Sequence, residues 1–359
     1  MNESITLSVL IPNYNYARYI GETLQSVLVQ APADVEIVVS DNASTDTSVD
    51  VVKACEDDRI RLAVNPCNVG FAANLERVAS LARGRRMLML SSDDRMKDGA
   101  IAAYERLEAA LGPRAERAVW GSHTTVIDGD SKPTGQIDAD PKLWRGAPLD
   151  SELTAAVGHP VRALPAQVLL KRSLEMLRSP LPFLTTCYPR AMHDEVGGYS
   201  GGRLINPDKW FLWKLLDVAD MAYLIEAPLF EYRMHGFGQA PQELKSGALK
   251  HITDQYIATF NLPDTMLKKL GFERETLARA FIEHDIALRG LVALSEGRRE
   301  TARRGVHFGH ATYPQLARKN PKVWLLRALI GLGPVGISIA KATRKRAEKA
   351  WQARESRGR

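Results

Sequence analysis

Through the first 110 residues, short apolar runs alternate with helix-length amphipathic segments, and few folds produce that pattern. A parallel sheet with crossover helices is the one it calls for. The expected order is β-α-β-α-β-α-β, with strands at 7–11, 35–39, 61–64 and 87–90. Between them lie helices over 19–30, 47–54 and 72–82. In the first, Ile20, Leu24, Val27 and Leu28 share a stripe. Gly84 reads as the stop of the third.

Open parallel sheets bind ligands in the crevice beyond the carboxyl ends of their strands. Three such ends carry Pro12-Asn13-Tyr14-Asn15, Ser40-Asp41-Asn42 and Ser92-Asp93-Asp94. Any one alone reads as a turn. Three at one sheet edge point to a ligand. Further along, strands are expected at 118–121, 168–170 and 222–225, with a Gly/Pro/Asp-rich stretch over 128–148. From 242 onward the pattern is helical, with apolar spacing through 249–260 and 277–294.

Hydrophobic residues make up 45% and charged residues 25% of the 359, which excludes a disordered chain, a fibre or a multi-span membrane protein. Cys55, Cys67 and Cys187 are too scattered for a disulfide framework and suit a reducing compartment. The net charge of +6 sits wholly in residues 341–359, where eight cations face two anions. The body is therefore formally neutral, and a nucleic-acid partner, which needs a basic stripe, is not expected. The start MNESITLSVLIP lacks the cationic flank of a signal peptide, so a cytoplasmic location is expected. Residues 323–340, VWLLRALIGLGPVGISIA, are too short and too interrupted, by Arg327 and Gly333-Pro334, for a spanning helix. Followed by the basic tail, the run suits an anionic membrane surface, and equally a helix packed on the body with a solvated tail.

The segments SVLIPNYNYARYIGETLQSVLVQ, VEIVVSDNASTDTS, NVGFAANL and MLMLSSDDRM resemble the nucleotide-sugar-binding half of a family-2 glycosyltransferase with the GT-A fold, over roughly residues 6–110. A weaker likeness, in GGYSGGRLINPDKWFLWKLL and EYRMHG, extends it to about 236. The resemblance implies an α/β, Rossmann-like, mainly parallel central sheet with flanking helices, plus a helical C-terminal extension. It divides the chain into a GT-A domain (1–240; 1–115 nucleotide-sugar binding, 116–240 acceptor and catalytic half), a helical region (241–340) and a basic tail (341–359).

It also implies roles. Asp41 would accept the uracil imide N–H, a stronger bond for a carboxylate than for an amide or hydroxyl. Pro12 and Tyr14 resemble the first base-contacting loop, and Asn68, Gly70 and Asn74 the third. Asp93 and Asp94 stand where the family keeps its acidic motif, one toward ribose and one toward Mn²⁺ or Mg²⁺; such neighbours repel unless a cation neutralises them. Arg233 and His235 resemble a YRxH segment near the diphosphate, with His235 on the metal. Asp208 is the candidate base, with Asp194 and Glu195 in reserve. His123 and His193 receive no role. A plain capping reading stands beside two of these assignments: Asp93 or Asp94 before a helix over 97–111, and Asp208 before one over 209–216. Two departures from the pattern are Ser91, where many relatives are acidic, and Pro207, where many have Glu.

The implied activity is inverting, metal-dependent transfer of a sugar, UDP-linked, to a glycan or lipid-linked acceptor in cell-surface polysaccharide biosynthesis at the cytoplasmic membrane face. Two alternatives compete. A sugar nucleotidyltransferase would need a Gly-rich basic loop that IPNYNYARY lacks. A non-catalytic nucleotide-sugar-binding scaffold draws on Ser91 and Pro207. The helical C-terminal third leaves homodimerisation, membrane attachment or neither open.

Overall fold

The computed structural model describes residues 5–199, 204, 207–235 and 249–355. Asn206, two residues before Asp208 in sequence, and the last four residues lie outside that set. The chain divides into two compact units, Met1–Ser173 with Arg178–Gly236, and Leu174–Leu177 with Phe237–Arg359.

The first unit opens as its apolar pattern dictates. β1 (Leu7–Asn13), α1 (Ala17–Leu28), β2 (Val35–Asp41), α2 (Ser48–Lys53), β3 (Ile60–Val64), α3 (Phe71–Ser80) and β4 (Arg86–Met89) form a parallel array in the order β3-β2-β1-β4. β1 and β2 are covered on both faces, which is why they read as unbroken apolar runs. Val9, Ile11, Ile37, Val39 and Leu88 pack with Ile20, Leu24 and Val27 of α1 in one buried cluster.

Beyond β4 the sheet becomes mixed. β5 (Arg95–Met96) and α4 (Ala100–Leu111) precede β6 (Ala118–Ile127), which folds back on β7 (Pro133–Ile137). The Gly/Pro/Asp-rich stretch thus begins as a hairpin. α5 (Ser151–Val157), β8 (Val161–Pro165), α6 (Ala166–Met176), β9 (Cys187–Pro189), α7 (Arg190–Glu195) and α8 (Asp208–Val218) lead to β10 (Met221–Arg233). β9 runs antiparallel between β4 and β6, and β10 parallels β6 while pairing antiparallel with β5 and β8. The register of β10 shifts around Pro228, a bulge that fits a residue with no N–H to donate.

Three expectations change. Residues 168–170 are helical, within α6; Ala166, Leu169, Leu170 and Ser173 are its buried face, a spacing of three and four that a strand cannot satisfy. Gly84 does not stop a helix: α3 ends at Ser80, and a Cβ at Gly84 would stand 2.5 Å from the Ser8 backbone nitrogen, so glycine is there for close packing against β1. The helix expected from 97 starts at Ala100 with Gly99 as its cap, so neither Asp93 nor Asp94 caps it.

The second unit is helical in the described residues. Leu249–Phe260, Asp264–Lys269, Arg274–Ala280, a π-helical stretch Phe281–Leu288, Arg289–Ser295 and Arg299–Thr312 precede Pro314–Lys319, Pro321–Gly331 and Pro334–Glu355. Tyr256, Phe281, Phe308 and Tyr313 form its aromatic centre. The apolar run 323–340 is split between the last two helices, with Gly333 at φ +57°. Among the described residues no helix is long and apolar enough to cross a membrane.

Candidate active site

The carboxyl ends of β1, β2 and β4 lie side by side, because β1 pairs with both others and Asn13 stands opposite Asp41. By sheet spacing, the loops after β2 and β4 are roughly 10 Å apart, the scale of a nucleoside and its first phosphate.

The β2 end is built around Asp41. Asn13 Nδ2 donates to its Oδ2 at 2.7 Å, Ser44 Oγ to the same oxygen at 2.6 Å, and the Ser44 backbone N–H to Oδ1 at 2.8 Å. A carboxylate offers about four acceptor positions, so these bonds leave one for a ligand N–H. Asn15, at φ +59°, receives the Thr45 N–H and stitches the β1 and β2 loops together. Pro12 is part-buried beside Ser40, and Tyr14 is 41% exposed at the rim.

A second group is an amide network. Asn42 Nδ2 donates to Asn68 Oδ1 at 2.9 Å, and Asn42 Oδ1 accepts from Asn65 Nδ2 and the Val69 N–H. Asn74 is buried; its Nδ2 bonds Ser40 O, and its Oδ1 accepts from Ser40 and Asn65. Asn74 thus locks α3 to β2, while Asn68 and Gly70, the latter at φ +87°, stay at the open edge. Asn42 and Asn65 were not singled out from sequence, since only their pairing across the loops reveals them.

The third group contains Asp93, Asp94, Arg233 and His235. His235 Nε2 lies 3.0 Å from Asp93 Oδ2. Tyr19 and Tyr16 back the imidazole at ring distances of 4.9 and 5.9 Å. Burial, then Asp93 and Asp94, push the Tyr16 phenol up, and burial followed by the same carboxylates pushes Tyr232 up to about 12. Two adjacent ligands of an octahedral ion bonded at about 2.1 Å stand about 3 Å apart. As they stand the carboxylate and the imidazole are hydrogen-bonded to each other, and the same separation would allow both to ligate one divalent cation. Among the described residues no cluster of three or more His, Cys, Asp or Glu is arranged for a cation, so further ligands would have to come from a diphosphate and water.

Asp94 is the more deeply buried of the two. It is 1% exposed, its Oδ1 accepts the Arg233 backbone N–H at 2.8 Å, and Oδ2 has no hydrogen-bond partner. Burial and the neighbouring Asp93 charge hold its carboxyl well above the usual range. Thr23 Oγ1, from α1, is within bonding distance of the carbonyls of Ser92 and Asp94 and holds the loop from beneath.

Arg233 is engaged throughout. Nε donates to Asp93 O (2.8 Å), Nη2 to Glu22 Oε2 (2.8 Å), and Nη1 to Ser131 Oγ (2.7 Å) and Asp128 O (3.3 Å). Its guanidinium lies over Tyr19 at 4.6 Å, and its side chain is 0% exposed. Four bonds use most of the five donors. Its partners tie β10 to the acidic loop, to α1 and to the β6–β7 turn, so the geometry is that of an anchor. Exchanging Arg233 for Lys, which lacks the planar fork, is expected to lower stability by about 3 kcal/mol, read as a fall in the urea midpoint. An unchanged midpoint with a raised donor KM would instead place the guanidinium on the diphosphate.

Asp208 belongs to a fourth group. It opens α8 in the first turn, a favourable end for an anion, with Pro207 rather than its own side chain in the cap position. Burial, Tyr188 and the charges of Glu76 and Asp208 hold the Tyr199 phenol well above its ordinary value, which puts Asp208 near that ring. Glu76 Oε2 accepts the Tyr199 N–H at 2.8 Å, and Lys214 Nζ donates to Val196 O and Gly198 O. A Cβ at Gly198, φ +60°, would stand 2.6 Å from the Glu76 carboxylate. The Gly197-Gly198 turn is thereby fastened to α3 and α8 together. Of the reserves, Asp194 sits 3.3 Å from His193 Nδ1 and Glu195 pairs with Arg117. His193 is packed among Tyr188, Tyr199 and Phe211, and His123 accepts the Ala139 N–H.

The chain resembles known proteins in sequence and in fold. Residues 8–121 match the family model for glycosyl transferase family 2. The chain is 28% identical over 271 residues to an uncharacterized glycosyltransferase of Nostoc sp., covering 71% of this chain and 75% of that protein. It is 27% identical over 143 residues to the UDP-Glc:alpha-D-GlcNAc-diphosphoundecaprenol beta-1,3-glucosyltransferase WfaP of Escherichia coli, covering 40% of this chain and 55% of that one. In fold it is similar to TarS of S. aureus, solved with UDP-GlcNAc, at a TM-score of 0.60 and 15% identity, over 96% of this chain and 92% of that one.

Proposed function

This chain belongs to glycosyltransferase family 2 and has a GT-A-like fold, and from that premise we propose that it transfers a sugar from a UDP-linked donor, with inversion, to a hydroxyl of a glycan or lipid-linked acceptor. The observation that carries the reading is the Asp93–His235 pair, 3.0 Å apart, at the carboxyl edge of the parallel strands. WfaP, whose name carries UDP-Glc, and TarS, solved with UDP-GlcNAc, support the choice of nucleotide. The products belong to cell-surface polysaccharide, and three free thiols suit a cytoplasmic site of action.

The roles follow from the four groups. Asp41 accepts the uracil imide N–H through its remaining acceptor position. Pro12 and Tyr14 border the base, the exposed Tyr14 ring offering a stacking face. Asn68 and Gly70 shape the loop beside it, and Asn74 holds that loop in place. Asp93 and His235 would hold Mn²⁺ or Mg²⁺, which would supply neutralisation of the charge that grows on the diphosphate. Asp94 and Arg233 keep the acidic loop and β10 in register around that pair. Asp208 takes the proton of the acceptor hydroxyl while its oxygen bonds to the anomeric carbon. The bond from that carbon to the diphosphate oxygen breaks, and UDP leaves on the opposite face.

A panel of nucleotide sugars, assayed with and without Mn²⁺, tests this. Release of UDP from a UDP-sugar, dependent on the cation, is expected. Preferential turnover of a GDP- or dTDP-sugar would overturn the uracil assignment, and turnover unaffected by chelation would overturn the role of Asp93 and His235.

A further inference from the structure

The last two helices carry a feature the transfer reaction does not use. Their inner faces are buried through Val323, Leu326, Leu329, Ile330 and Ala340. Their outer faces also carry large apolar side chains, interspersed with the exposed Lys322, Arg327 and Ser338. Trp324 is 64% exposed and Val335 61%, with Leu325, Leu332 and Ile339 exposed beside them in sequence. Val335 and Ile339 are four apart and share a face of one helix. On the next turns of that helix Lys341, Lys345 and Arg346 are exposed, and residues 341–359 hold the whole +6 of the chain.

We propose that this outer face docks on an anionic lipid bilayer, with Trp324, Leu332, Val335 and Ile339 entering the headgroup boundary and the cations meeting lipid phosphates. Charge decides the occupant. A second copy of the chain would bring like charges together, and a bare polyanion leaves the apolar wedge uncovered. An anionic bilayer satisfies both, apolar side chains and tryptophan below the headgroups and cations above. The proposed attachment is peripheral, through the outer faces of these two helices.

Full-length protein is mixed with vesicles of phosphatidylcholine alone, or of equal phosphatidylcholine and phosphatidylglycerol, and sedimented. Binding to the mixed vesicles and release by high salt are expected. Lys345→Ser and Arg346→Ser should each weaken partitioning roughly fivefold, and Val335→Ser with Ile339→Ser roughly tenfold, with the melting temperature unchanged because these side chains are exposed. Failure to bind mixed vesicles, or equal binding to neutral ones, overturns the proposal. So does a dimer in sedimentation equilibrium that the Val335→Ser, Ile339→Ser variant dissolves, which would assign the face to a second copy. Vesicle binding is read without turnover, so its failure leaves the glycosyltransferase reading untouched.

Discussion

Asp93→Asn should lower kcat/KM by roughly 10³-fold, about 4 kcal/mol of transition-state stabilisation. The substitution keeps the size of the side chain and removes its charge. It should spare the fold, because Arg233 bonds the backbone carbonyl of residue 93 and not its carboxylate. The loss is therefore expected without a fall in melting temperature, and with a matching loss of cation-dependent UDP affinity. His235→Ala should act on the same feature, so the double variant should lose little more than either alone. Additive losses, or an Asp93→Asn enzyme with near-normal turnover, would show that the pair is not a unit. Asp94→Ala should behave differently, since its carboxylate meets the Arg233 backbone: stability falls along with activity.

The second large effect concerns Asp208. Asp208→Asn should reduce kcat by about 10² to 10⁴-fold, the usual contribution of a general base, while donor KM and UDP affinity stay near wild type. The split matters, because Asp208 also opens α8 and an anion at a helix start contributes about 0.3–1 kcal/mol. A small stability change beside a large loss in kcat identifies the base. A stability change alone, with turnover intact, would return Asp208 to a helix-end role and move the search to Asp194 or Glu195. Donor hydrolysis, in which water replaces the acceptor, offers a second readout on the same variant.

Much of the fold of the first 110 residues was legible in advance, because fully covered parallel strands leave continuous apolar runs and their carboxyl ends must carry the polar loops. Asp41 and Asp93 stand out on that basis, though their roles rest on the resemblance; His235 stands out through the resemblance alone. Asp94 was legible as a polar residue in those loops and Arg233 through the resemblance, but the partners of neither were. What turns Arg233 into an anchor is Glu22, Asp93, Asp128 and Ser131, partners from distant parts of the chain. Tyr19 and Glu22 had a local signal: three apart, they share the face of α1 that meets Arg233 of β10, with Tyr16 just before the helix. Glu76 and Lys214 had none, since their work is to hold the backbone of a turn more than a hundred residues from the first of them. Residues 168–170 misled because three consecutive apolar residues fit a buried strand and a buried helix equally.

The most direct measurement is calorimetric titration of UDP into the wild-type protein and into Asp93→Asn, each with and without Mn²⁺. Wild-type affinity should rise with Mn²⁺, and Asp93→Asn should bind UDP weakly and alike in both conditions. Equal enhancement by Mn²⁺ in the two proteins would contradict the assignment of Asp93 and His235 to the cation, and with it the account of how the diphosphate leaves.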